Sequence, residues 1–133
     1  MSQENVEVVK VLMGAVNRRD IDALAGVTTS DLEWFPVFAA RVEGDVYRGR
    51  AGIEAFLGEV DEIWEEFRPQ PEEYRDLGDR VIGLGRLRTR GRASGVPIDA
   101  PWGGVYDVRG GRISRIRTYL DHGEALRAAG LFE

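Results

Sequence analysis

Apolar side chains recur at helical spacing from the start of the chain. Between residues 3 and 18, Val6, Val9, Met13 and Val16 fall on one face with Leu12 beside them, which predicts an amphipathic helix. Asp20 stands where it can cap a second, short helix through Ile21, Leu24 and Val27. The segment DLEWFPV predicts a short strand ended by Pro36, and Val46 and Tyr47 a second extended piece. Gly49 then opens the strongest helical pattern. Ile53, Phe56, Leu57, Val60, Ile63, Trp64 and Phe67 recur at three- and four-residue steps, and Pro69 stops them. Glu54, Glu59, Asp61, Glu62, Glu65 and Glu66 lie on the other face, as expected where a helix meets solvent.

From Glu72 onward the period changes to two. Strands are predicted over 72–77, 80–92, 97–108 and 112–120. They are separated by Gly78-Asp79, Ser94-Gly95 and Arg109-Gly110-Gly111, all of which favour turns. The last segment predicts a helix with Asp121 at its start, Glu124 three residues on and Gly130 at its end. Helices first and a meander of strands after predict an α+β fold. A bent antiparallel sheet packs on helices from the N-terminal half, and a short C-terminal helix closes a single domain over residues 1–133.

Alternate residues of a strand face opposite sides. Arg86, Arg88, Arg90 and Arg92 share one face of the 80–92 strand, and Gly83, Gly85, Leu87 and Thr89 the other. Ala100, Trp102, Gly104, Tyr106 and Val108 oppose Asp99, Val105 and Asp107 on the next strand, and Arg115, Arg117 and Tyr119 oppose Ile116, Thr118 and Leu120 on the last. The apolar faces belong under the helices. The charged faces form a ladder in which Asp99 and Asp107 meet the arginines, each pair contributing about 0.2–1 kcal/mol. That ladder suits a solvated face or a polar dimer interface, and less readily an anion site. On the apolar face, glycines at 83, 85 and 104 either leave a hollow walled by Trp34, Trp64, Trp102 and Tyr106 or simply let the sheet bend around a filled core.

Composition narrows the function. With 31% charged and 43% hydrophobic residues the balance is that of an ordinary globular protein. A net charge of −5 argues against nucleic-acid binding. There is no Cys and a single His, which leaves no thiolate chemistry and little for a transition metal, and no cofactor is expected. No apolar run suits a membrane span, and MSQENVEVVK does not read as a secretory signal, so a cytoplasmic protein is expected.

VNRRDIDAL at the first helix–helix joint, VYRGRAGIEAFL opening the third helix, and VYDVRGGRISRIRTYLD with its hairpin turn together resemble the nuclear transport factor 2-like superfamily, in its SnoaL-like branch. The resemblance spans nearly the whole chain. It implies a cone, in which a bent sheet wraps on helices around a pocket, and a homodimer formed through the outer face of the sheet. The same resemblance includes ketosteroid isomerases, whose catalytic Tyr and two Asp fall here on Leu12, Phe35 and Gly104. The His and Asp of polyketide cyclases fall on Gly104 and Thr118. The Arg-x-Asp of limonene epoxide hydrolases falls on Arg86-Leu87-Arg88, and that family's last-strand Asp on Thr118. None of these replacements brings a carboxyl or imidazole.

Three weaker acid–base candidates remain. Asp99, beside Pro97 and Pro101, could turn inward as a base or outward to the arginines, and alternation favours outward. Asp121 and His122 are adjacent, but Asp121 suits the N-cap of the closing helix better than it suits catalysis. Three functions stay open. One is a protein that holds a small, mostly apolar molecule in a pocket formed by Trp34, Phe56, Trp64, Leu87, Thr89, Trp102, Gly104, Tyr106 and Thr118. Another is an isomerase, cyclase or hydratase using Asp99, or Asp121 with His122. The last is a structural dimerisation domain with a filled cone.

Overall fold

The computed structural model describes residues 2–36 and 46–131; Val37, at the end of the first predicted strand, lies outside them. The order is α1 (Ser2–Arg18), α2 (Ile21–Gly26), β1 (Thr28–Phe35), β2 (Tyr47–Arg48), α3 (Gly49–Ile63), β3 (Trp64–Asp76), β4 (Arg80–Gly91), β5 (Pro97–Arg109), β6 (Arg112–Tyr119) and α4 (His122–Ala128). Two aspartates start helices as their positions predict. Asp20 accepts from the Ala23 N–H at 3.1 Å, and Asp121 from the Gly123 N–H at 2.7 Å, each satisfying a donor that the first helical turn leaves free. Gly110 and Gly111, both at positive φ, make the tight β5–β6 turn.

The sheet is open and six-stranded, in the order β2-β1-β6-β5-β4-β3. From β3 to β6 it is the predicted antiparallel meander. On the far side β1 joins β6 in parallel, with Trp34 beside Ile116, so the whole sheet is mixed. A parallel partner needs a long crossover; here β2, α3 and the first three strands of the meander provide it.

The third helix ends at Ile63, four residues before the predicted end, and β3 begins at Trp64 instead of Glu72. Val60, Ile63, Trp64 and Phe67 fit helical spacing, but Phe67, Pro69 and Pro71 also alternate. Pro69 therefore does not stop a helix but lies within a strand. β3 is the sheet's edge, where a missing N–H can face solvent, and the register shifts just after Pro71.

Val9, Leu12 and Val16 of α1 and Ile53, Phe56 and Leu57 of α3 form one core with Leu32, Val81, Leu87, Trp102, Tyr106 and Ile116 on the inner face of the sheet. A second cluster lies on the opposite face. Ile82, Leu84 and Val105 point outward and are covered by Ala125 and Ala129 on the α4 side. A β-carbon at Gly103 would come within 2.7 Å of Ala125 Cβ, so glycine there lets α4 sit close. The outer face is thus apolar under α4 and ionic elsewhere, where alternation alone suggested one charged surface. Its pairs include Arg86–Asp99 at 2.8 Å, Arg80–Asp107 at 3.0 Å, Arg117–Asp107 at 3.7 Å and Arg115–Glu33 at 3.1 Å. At such partly exposed positions each adds at most about 1 kcal/mol.

Gly85 marks where β3 presses on β4. A β-carbon there would lie 2.1 Å from the Gln70 carbonyl oxygen and 2.7 Å from Pro71 Cα. Both obstacles are main chain and cannot rotate away. Gly85→Ala should lower the unfolding free energy by about 3 kcal/mol or more. Gly58→Ala, on the exposed side of α3 with nothing within 4 Å, should raise it by about 0.5–1 kcal/mol. Urea denaturation of both variants checks the pair; equal effects would contradict the assigned β3–β4 packing.

Candidate functional site

A small cavity lies inside the cone, between α1, α3 and the inner face of the sheet. Its volume is about 30 Å³, room for little more than one water molecule. Met13 and Val16 reach it from α1, Phe56 from α3, and Trp34 and Pro36 from β1 and the residue after it. Phe67 and Pro69 of β3, Leu87 of β4, Trp102 and Tyr106 of β5, and Ile116 and Thr118 of β6 complete the wall. Phe56 packs at 4.7 Å from Trp34 and 6.2 Å from Phe67, measured between ring centroids; Tyr47 closes on its edge at 5.5 Å. This aromatic cluster holds one side of the cavity rigid.

Two side-chain hydroxyls interrupt the apolar wall. Thr118 donates to the Phe35 carbonyl at 3.2 Å, tying β6 to the end of β1. Tyr106 is fully buried, with its hydroxyl 3.8 Å from Met13 Sδ. Burial, with a smaller contribution from Tyr74, pushes its phenol well above the usual range, so it stays protonated.

Of the nine residues predicted to line a ligand pocket, six lie on the wall of this cavity: Trp34, Phe56, Leu87, Trp102, Tyr106 and Thr118. Trp64 does not, because it sits half-buried at the α3–β3 junction. Thr89 is buried one step beyond Leu87, towards a separate surface recess with Arg88, Arg90 and Ile98. Gly104 lies beneath Tyr106, where a β-carbon would be 2.4 Å from the hydroxyl oxygen. The glycines therefore do not leave a hollow. Gly104 makes room for the Tyr106 ring, Gly83 stands where a β-carbon would meet the Tyr74 and Tyr106 rings at ordinary contact distance, and Gly85 accommodates the β3 backbone. Of the lining residues not predicted, Met13 and Val16 were already visible on the apolar stripe of α1. Phe67 and Pro69 were hidden by the helical reading of β3.

The acid–base candidates lie away from the cavity. Asp99 is exposed on the outer face and paired with Arg86 at 2.8 Å. Asp121 caps α4. His122 Nε2 is 2.9 Å from the Gly85 carbonyl oxygen. Gly85 stands between Pro71 of β3 and Trp102 of β5, and this contact holds the imidazole against the sheet. Leu12, where the isomerase resemblance puts a Tyr, is wholly buried core. Among the described residues no carboxylate or imidazole lines the cavity, and no group of three His, Cys, Asp or Glu is placed to hold a metal ion.

A wider basin of about 580 Å³ opens on the outer face among Asp31, Glu33, Arg48, Asp107, Arg109, Ser114 and Arg115. Its charges are engaged with one another: Arg109 with Asp31 at 2.7 Å, and Arg115 and Arg48 with Glu33 at 3.1 and 3.5 Å. With cations and acids interleaved, it offers no concentrated charge for a ligand. The cavity inside the cone is the better candidate site, because it is concave, mostly apolar and has a buried donor.

The family comparison agrees with this architecture. The SnoaL-like domain family matches residues 9–116, and the chain belongs to it. Among solved structures it is similar to a nuclear transport factor 2-like protein from Burkholderia xenovorans, at 30% identity and TM-score 0.76 over 97% of each chain. It is similar to TerC co-crystallised with polyporic acid, at 24% identity and TM-score 0.79 over 93% of this chain and 98% of that one. It also resembles a protein of ketosteroid isomerase-like fold from Catenulispora acidiphila in complex with trimethylamine, at 20% identity and TM-score 0.75 over 95% and 94%. No curated protein matches the sequence. No helix among the described residues is long and apolar enough to cross a membrane.

The positions of the acids give a direct test. Asp99→Asn should change the unfolding free energy by less than about 0.5 kcal/mol, since it removes one exposed pair. Asp121→Ala should cost about 1 kcal/mol through the lost cap. Urea denaturation distinguishes the two, and a large loss in Asp99→Asn would contradict its outer-face position.

Proposed function

We propose that the protein binds a small, mostly apolar molecule inside the cone and does so without acid–base catalysis by the family's usual residues. The observation that carries this reading is a cavity walled mostly by aromatic and aliphatic side chains, with no carboxylate or imidazole among the described residues that line it. General acid–base chemistry needs such a group within hydrogen-bond reach of the reacting atom. Two proteins of similar fold, TerC co-crystallised with polyporic acid and the Catenulispora protein in complex with trimethylamine, support a fold able to host small molecules. Binding requires more room than the free volume here. Met13 can supply part of it, having three rotatable bonds and a polarisable thioether.

A homodimer through the ionic part of the outer face belongs to the same proposal. α4 covers the apolar part, and beside the open part the hairpin tip exposes Val96 and Ile98 by 54% and 52%. A second reading, the filled structural cone, is favoured by one observation: Tyr106 occupies the space over Gly104.

Native mass spectrometry of the purified protein tests both. The ligand reading expects twice the 14.8 kDa chain mass plus a small adduct that denaturation releases. It also expects the adduct to vanish in Leu87→Phe, whose larger ring fills the cavity. An adduct that persists in folded Leu87→Phe would place the ligand elsewhere. A protein that stays bare, and takes up no apolar probe when titrated, supports the filled cone.

A further inference from the structure

We propose that the Tyr106 hydroxyl is the polar anchor of the cone, and that the molecule it selects is neutral and carries a hydrogen-bond acceptor such as a ketone oxygen. This rests on the ligand-pocket reading above. A buried phenol normally finds an oxygen or nitrogen partner. Tyr106 is completely buried, and the partner found for its hydroxyl among the described residues is a thioether sulfur at 3.8 Å. A thioether accepts weakly, so this strong donor faces a weak protein acceptor. Thr118 does not share this property, because its hydroxyl already donates to the Phe35 carbonyl.

The donor is also held in place. Gly83 and Gly104 stand opposite each other across β4 and β5, and the Tyr106 ring lies over both. A β-carbon at Gly104 would come within 2.4 Å of the hydroxyl oxygen and displace the ring, so this glycine forms a seat that fixes where the hydroxyl points. Burial keeps the phenol protonated, and it therefore offers a proton without bringing a charge. Among the described residues no cation or carboxylate lines the cavity, and against these walls a charged ligand would be buried without a counter-ion at high cost. The site thus favours a neutral acceptor over both an ion and a plain hydrocarbon.

The test uses cyclohexanone and methylenecyclohexane, which share a shape and differ in the acceptor oxygen. Binding to the purified full chain is followed by ligand-observed saturation-transfer NMR, with thermal melts on each variant. The wild-type protein should prefer the ketone by about three- to tenfold, the worth of one neutral hydrogen bond. Tyr106→Phe should lose that preference while binding methylenecyclohexane as before. It should also melt at the same temperature or higher, since no good hydrogen bond is removed. Gly58→Ala, on the exposed side of α3, should keep the ketone preference. Equal binding of the two probes by the wild type, or a preference that survives Tyr106→Phe, overturns the anchor and leaves the pocket reading standing. A clear drop in Tm for Tyr106→Phe overturns the anchor by showing that the hydroxyl is already spent within the fold. If neither probe binds, the pocket reading itself fails, and the anchor with it.

Discussion

Arg86 and Arg88 cannot enter an apolar cone without counter-charges, and Leu87 and Trp102 cannot leave it without exposing large apolar surfaces. The alternation along β4 and β5 therefore sets the register of the central pair, which runs unbroken from Arg80 beside Asp107 to Arg90 beside Pro97. A slip of one residue would turn every side chain to the wrong face. Much else follows from that register. It brings Gly83 opposite Gly104, seats Tyr106 over them, sends Asp99 out to Arg86, and presents Ile82, Leu84 and Val105 to α4.

The same register ties the candidate site to the core. Trp34, Phe56, Leu87, Trp102 and Tyr106 line the cavity and are also members of the main hydrophobic cluster. Binding and stability accordingly draw on one set of contacts: a larger cavity would weaken the cone, and a better-filled one would exclude a ligand. Thr118 and Tyr106 can be changed with less conflict, because their hydroxyls contribute polarity and not bulk.

Much of the fold was legible because its elements carry local signals. The apolar stripe of α1, the aspartate caps of α2 and α4, and the glycine turn between β5 and β6 each depend on residues near one another in sequence. β3 was misread for the same reason: Trp64 and Phe67 satisfy helical spacing, and a proline within a strand becomes acceptable only when that strand is known to be an edge. The parallel pairing of β1 with β6 joins Trp34 to Ile116, a separation over which periodicity carries no information.

The sequence by itself determined the α+β class, the division of each long strand into an apolar and a polar face, and half of the residues on the cavity wall. Those properties are set by residue identity and by local period. Only the tertiary structure decided what the glycines are for, which part of the outer face α4 covers, and how little free volume the cone retains. The reason is that space is a property of several chain segments at once. Gly85 is explained by Gln70 and Pro71, Gly104 by Tyr106, and Gly103 by Ala125. No pattern along one strand reports what packs against it.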